Sequence, residues 1–204
     1  MQLEITLFFL MIIAVIGGAQ MIHTWIDKSR IRSNFEKLIV RLPGKVIQEN
    51  RLIYPRFSGE IDGRQFDLFF KVVKVGKKHI LYYIYSLQSD MPTSLLLLKA
   101  DMFKPIRVEL EAMKSAGPAL SEIREGYQVR SNNEAEAIAI FEGAGLSERL
   151  PALNEFSSLQ LGPDALVVGK PYDGTADTEV SAVMKNVRSL VDLAQAMEKC
   201  PIPA

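Results

Sequence analysis

The sequence predicts an α+β protein, with an N-terminal transmembrane helix followed by a mainly antiparallel sheet packed with C-terminal helices. Three observations predict it. Residues 5–22 read ITLFFLMIIAVIGGAQMI without a charge. Alternating apolar runs punctuated by turn residues cluster between Arg51 and Leu98. Apolar spacing near 3.6 then dominates the last third, and strands first with helices later is the α+β pattern. The chain divides into a transmembrane helix at 1–26, a basic juxtamembrane amphipathic helix at 27–44 and a soluble α+β domain at 45–204.

No charge falls between Glu4 and Asp27, a gap of 22 residues. That matches the roughly 20 residues needed to cross about 30 Å of hydrocarbon. Ile5, Phe8, Phe9, Ile13, Ile16 and Ile22 are the expected lipid-facing residues, and Trp25 falls where an interfacial aromatic anchors such a helix. Ala14 and Gly18, four apart and small, could let two helices pack closely. A cleaved secretory signal is the rival reading, because Gly17 and Ala19 have peptidase-like spacing. Met-Gln-Leu-Glu has no basic n-region, which disfavours it. The N-terminal flank lacks Lys and Arg, whereas Lys28, Arg30, Arg32, Lys37 and Arg41 follow the helix. The positive-inside rule therefore places the C-terminal domain in the cytoplasm, with the N-terminus outside. Lys28, Arg30 and Arg32 are the expected headgroup contacts.

Ile26, Ile31, Phe35, Leu38, Ile39 and Leu42 recur at helical spacing, which predicts an amphipathic helix over about 26–42, stopped by Pro43-Gly44. Its apolar face could lie on the membrane, pair with a second copy or pack on the domain, and the last is expected. A strand over Arg51 to Ile61 leads to Asp62-Gly63, a two-residue hairpin signal in which both positions must tolerate positive φ. Arg64 to Val75 alternates, with Phe66, Leu68, Phe70 and Val72 on one face. After Gly76-Lys77-Lys78, His79 to Leu87 is apolar on both faces and reads as a central strand of an antiparallel meander. Ser94 to Leu98 reads as a fourth strand, and Phe103 to Leu110 and Tyr127 to Arg130 as possible strands around a loop at Gly117-Pro118.

In the last third, Asn133 with Glu136 resembles a helix cap. Leu146, Leu150, Leu153 and Phe156 predict helix interrupted at Pro151. Ser158–Leu161 and Ala165–Val168, joined by Gly162-Pro163-Asp164, predict a hairpin. Val180, Val183, Met184, Val187, Leu190, Val191, Ala194 and Met197 predict a terminal helix capped by Asp177 and ended at Cys200-Pro201.

Residues Ser58 to Leu68, SGEIDGRQFDL, carry a G-x-x-x-G-R turn at Gly59, Gly63 and Arg64. With the N-terminal helix and the basic stretch, this resembles uncharacterised bacterial single-pass membrane-anchored proteins with a cytoplasmic α+β domain. The resemblance carries over no functional residue.

The chemistry-bearing residues are sparse. His23 and His79 are the histidines and Cys200 the sole cysteine. No intrachain disulfide can form, no metal site of three or four His and Cys ligands can be built, and no Ser-His-Asp arrangement is spaced for catalysis. No cofactor is expected. Gly143-Ala144-Gly145 reads as a helix end and restart rather than an anion loop, and Gly169-Lys170 has the wrong spacing for a P-loop. From His23 to Lys99 there are 14 Lys/Arg against 7 Asp/Glu, and from Ala100 onward 10 against 16. The basic half adjoins the expected bilayer, but no basic stripe with interleaved aromatics points to nucleic acid. The expected function is a non-enzymatic, membrane-anchored interaction or scaffold protein. Its partners would be the lipid bilayer and another membrane protein or a second copy of itself. One alternative is a small-ligand sensor with Tyr82, Tyr83 and Tyr85 lining a pocket. A second is a carboxylate-dependent hydrolase using Asp67 and Asp101.

Overall fold

A computed structural model describes residues 2–75, 77–90, 95–99, 127–131, 133–162 and 164–200. Helix α1 runs unbroken from Gln2 to Leu38. The segments read from sequence as 1–26 and 27–44 are thus joined within one helix as far as Leu38. Nothing between Gly18 and Pro43 interrupts i to i+4 bonding, so the helix crosses the change from apolar to amphipathic sequence without a joint. It ends at Leu38 in a turn at 39–41, six residues before the Gly44 expected to stop it, with the amides of Arg41 and Leu42 both bonded to the Leu38 carbonyl. Among the described residues no helix is long and apolar enough to cross a membrane. The side chains of Ile5, Phe8, Phe9, Ile13, Ala14 and Ile16, on which that expectation rests, lie outside the described ones.

Strands β1 (Gly44–Ile47), β2 (Arg56–Ile61), β3 (Arg64–Val75), β4 (Lys78–Gln88), β5 (Leu95–Lys99), β6 (Tyr127–Ser131), β7 (Ser158–Leu161) and β8 (Ala165–Pro171) form one sheet. Its order is β1-β2-β3-β4-β8-β7-β5-β6, with every neighbouring pair antiparallel. The α+β class and the β2-β3-β4 meander stand as read. Asp62 (φ 50°) and Gly63 (φ 77°) make the tight turn between β2 and β3. Strand β4 is internal, and Tyr82, Tyr83, Ile84 and Tyr85 are all buried.

Three details of the sheet differ from expectation. The 51–61 run is a turn up to Ile53, and β2 starts only at Arg56. Strand β1 carries no alternation long enough to be read. It pairs Gly44 with Gly59 so closely that a Cβ on Gly44 would come within 2.8 Å of the Gly59 Cα and 2.6 Å of the Phe57 ring. The SLLLL strand, β5, does not extend the meander, because β8 and β7 intervene. Phe103 to Leu110 and Gly117-Pro118 lie outside the described residues.

Helices α2 (Glu134–Gly143), α3 (Leu146–Arg149) and α4 (Val180–Glu198) supply most of the remaining core. Asn133 caps α2 as read, accepting from the amides of Ala135 and Glu136. Gly145 at φ 58° restarts the chain between α2 and α3. A 3-10 turn at Leu150–Leu153 accommodates Pro151 in its first turn. Leu146, Leu150, Leu153 and Phe156 are all buried. The cap of α4 is a correction: Glu179 holds the N-cap position, without a side-chain bond. Asp177 instead lies in a 3-10 turn at Thr175–Thr178, its carboxylate committed to Lys170 and to the Asp173 amide.

One core joins these parts. Ile31, Phe35, Leu38 and Leu42 of the α1 segment are buried in the same cluster as Phe57, Phe66, Leu68, Tyr83, Tyr85 and the α4 face Val183, Val187, Leu190, Ala194 and Met197. The amphipathic stretch thus packs on the domain, while Ile26 and Ile39 stay partly exposed.

Candidate functional site

Residues 27–42 form the seam between helix and domain. Residues at 27, 28, 31, 34, 35, 38 and 42 follow the i, i+3, i+4, i+7 rule and share one side of the chain. The apolar members do most of the holding. Each fully buried aliphatic or aromatic side chain contributes about 1.5–3 kcal/mol, against about 1 kcal/mol for a typical hydrogen bond. Phe35 is completely buried, 6.3 Å edge-on to Phe57 and 6.4 Å stacked on Tyr83.

Polar ties flank this contact. The Tyr172 hydroxyl lies 3.1 Å from both Asp27 carboxylate oxygens. Burial and then the Asp27 charge push the Tyr172 hydroxyl far above its ordinary pKa, so it remains a donor. Asn34 Nδ2 donates to Thr178 Oγ1 at 3.0 Å and to the Thr175 carbonyl at 3.3 Å. Lys28 Nζ donates to the Leu52 carbonyl and sits 4.7 Å from the centre of the Tyr54 ring. The 3-10 turn that Asn34 grips is itself fixed from beneath. Lys170, buried at the end of β8, donates to Glu155 Oε2 at 2.5 Å and Asp177 Oδ1 at 2.7 Å. Burial alone would lower the Lys170 pKa, but these two carboxylates outweigh it and hold the ammonium charged. The links run from β8 through Lys170 and Asp177 to the turn and on to α1.

Upstream of the seam the helix changes character. Met11, Val15, Met21, Ile22 and Trp25 are exposed, Met21 to 70% and Trp25 to 52%. A Cβ on Gly17 or Gly18 would meet nothing within 4 Å. A groove of about 540 Å³ runs here between α1 and the 48–55 loop, lined by Gly17, Met21, Ile22, Trp25, Lys28 and Leu52 among others.

Of the three cations expected at headgroups, Arg30 and Arg32 are exposed, and Arg32 pairs with Glu36 at 2.8 Å. Lys28 turns toward the domain instead. Its Nζ is used within the seam, because Leu52 and Tyr54 lie beside it on that side of the helix.

The rival chemistries gain nothing from the geometry. Asp67 is paired with Arg56 at 2.9 Å, and Asp101 lies outside the described residues. Tyr83 and Tyr85 are sealed in the core, with Tyr85 accepting from Asn186 Nδ2. Among the described residues no group of three or more His, Cys, Asp or Glu is placed to hold a metal ion.

Sequence reasoning missed Asp27, Asn34, Lys170 and Tyr172. Asp27 and Asn34 are seven apart on the buried face, a local signal that was available. Their partners lie 141 to 145 residues away and leave none.

At the opposite end of β3, Arg64 forms a two-pronged pair with Glu198 at 2.5 and 2.6 Å, tying the β2-β3 turn to the end of α4. The G-x-x-x-G-R positions are thereby explained. Gly59 admits the β1 backbone, Gly63 adopts positive φ, and Arg64 makes the ion pair.

No family model matches the chain, and no curated protein matches it. Among solved structures it is similar in fold to the crystal structure of the mycobacterial trehalose monomycolate transport factor A, TtfA. The TM-score is 0.59 at 11% identity, over 87% of this chain and 97% of that one. At that identity the likeness shows the fold alone.

Proposed function

We propose that this chain is a membrane-anchored, non-enzymatic scaffold, whose domain is held in a fixed attitude at the cytoplasmic face of a bacterial inner membrane. The observation that carries the reading is the continuity of α1. One helix contains both the uncharged stretch and the core residues Ile31, Phe35 and Leu38, with no linker between them. The 22 uncharged residues span roughly 33 Å as helix, enough for a hydrocarbon core. The exposed apolar side chains upstream of Asp27 need a cover that the described residues do not supply. Arg30, Arg32, Lys37 and Arg41 give the positive flank that supports the cytoplasmic placement.

A rigid mount serves an interaction role: it fixes the height and rotation of a docking surface above the bilayer, and a flexible tether would not. The test is crosslinking in native membranes, followed by mild-detergent purification through a C-terminal tag. A stoichiometric membrane partner is expected with the natural chain. It should be lost when a Gly-Ser insert after Ile26 uncouples the mount, although the domain stays folded. A lone protein in the first case, or an unchanged partner in the second, overturns the rigid-scaffold reading.

A further inference from the structure

We infer that the domain itself touches the bilayer, through the loop Asn50–Tyr54, in addition to the α1 anchor. The inference rests on the anchor reading above and adds a second membrane contact to it.

Three independent observations converge on that loop. The first is its height. Lys28 ties the Leu52 carbonyl to α1 at the first turn beyond Trp25. The uncharged stretch ends at Asp27, so the loop stands level with the end of the hydrocarbon-length segment.

The second is its construction. Leu52 is 76% exposed and Ile53 45% exposed. Yet every backbone polar group of these two residues is bonded within the protein. The Leu52 and Ile53 amides donate to Asn50 Oδ1 at 2.8 and 3.2 Å. The Leu52 carbonyl accepts from Lys28 and the Ile53 carbonyl from Gln48 Nε2 at 2.8 Å. A loop facing water has no need of such closure, because water would satisfy those groups. A loop entering a poorly hydrated boundary does, since each unsatisfied group there costs several kcal/mol.

The third is charge. Helix α1 and strand β3 run alongside each other. Leu42 and Gly44 lie at the Gly59–Phe66 end of the sheet, whereas Asp27 meets Tyr172, which packs 5.2 Å from Phe70. Strand β3 therefore continues past Phe70 in the direction that α1 takes toward its N-terminus. The β3-β4 hairpin end carries Lys74, Lys77 and Lys78, all exposed. With exposed Arg51 in the loop itself, they place four cations on the side of the domain toward which α1 runs to its N-terminus. Anionic headgroups reward each basic residue held near the surface by roughly 1 kcal/mol. An apolar loop with cations on the same side of the domain matches the boundary between headgroups and acyl chains.

The test uses the full chain with Cys200→Ser and one new cysteine at a time, labelled with the environment-sensitive fluorophore NBD. The chain is reconstituted into vesicles of phosphatidylcholine and phosphatidylglycerol. The vesicles carry a nitroxide either near the headgroup or near the acyl-chain end. A label at Leu52→Cys should shift to the blue and lose about half its emission to the shallow nitroxide, and less to the deep one. A label at Glu60→Cys, at the other end of the sheet, should stay water-like. A label at Val15→Cys reports the anchor separately and should be quenched by the deep nitroxide. Water-like emission at Leu52 with Val15 quenched overturns the second contact and leaves the anchor standing. Failure at both positions removes the anchor and the inference together.

Discussion

The two halves of α1 obey the same helical geometry and meet opposite surroundings. From Ile31 onward the helix repeats apolar residues on one side, and Ile31, Phe35, Leu38 and Leu42 vanish into the core. Upstream of Asp27 the sequence is uncharged back to Glu4, and the described side chains Met11, Val15, Met21, Ile22 and Trp25 are exposed. A helix with one apolar stripe is completed by its own domain, and a helix apolar all round requires a surrounding medium. The boundary between the two is one helical turn, occupied by Asp27 and Lys28, and the helix runs through it without a break.

The largest effect that sharpens this contrast is truncation of the core anchor. Phe35→Ala should lower unfolding stability by about 3–5 kcal/mol, because the side chain is fully buried among Phe57 and Tyr83 and its loss leaves a cavity. Trp25→Ala, three turns earlier and half exposed, should change domain stability by no more than about 0.5 kcal/mol. Chemical denaturation of both variants in detergent checks this pair. Equal effects would mean that the two halves are not distinct.

A smaller effect is expected from the polar tie. Tyr172→Phe leaves the ring against Phe70 but removes the donor to Asp27, and should cost about 1–2 kcal/mol. Hydrogen exchange should quicken around 27–31 first. Unchanged exchange there would show that burial alone sets the helix attitude.

The smallest effect lies away from the helix. The Arg64 guanidinium bonded to Glu198 holds that carboxyl below its ordinary pKa, against the opposing pull of partial burial. Its contribution is therefore present above the unfolded-state value of about 4.3 and fades as pH falls through the lower folded value. Glu198→Gln should lower neutral-pH stability by about 0.5–1 kcal/mol and flatten the acid limb of the stability profile. An acid limb as steep as that of the natural chain would assign the acid sensitivity to other carboxylates.

Much of the sheet was legible because its signals are local. Asp62-Gly63 demands positive φ at two successive residues, and Arg64–Val75 shows its alternation over twelve. The buried face of α1 and the α4 stripe were legible for the same reason. Strand β1 was not, since four residues flanked by Gly44 carry no period, and its place comes from two glycines meeting across strands. The neighbours of β5 were also illegible, because strand order is decided by which long-range pairings fill the core. The seam was half legible: its apolar residues announce themselves by spacing, but Lys170 and Tyr172 gain their roles only from partners on other elements.

By itself the sequence determined the α+β class, the β2-β3-β4 meander, the terminal helix and the change of character along α1, because periodicity and turn chemistry act within a dozen residues. Only the tertiary structure decided that α1 is one continuous helix, that Lys28 faces inward, and that the Leu52 loop stands beside Trp25. Those outcomes depend on burial and hydrogen bonding between residues far apart in the chain, whose pairing no local pattern encodes.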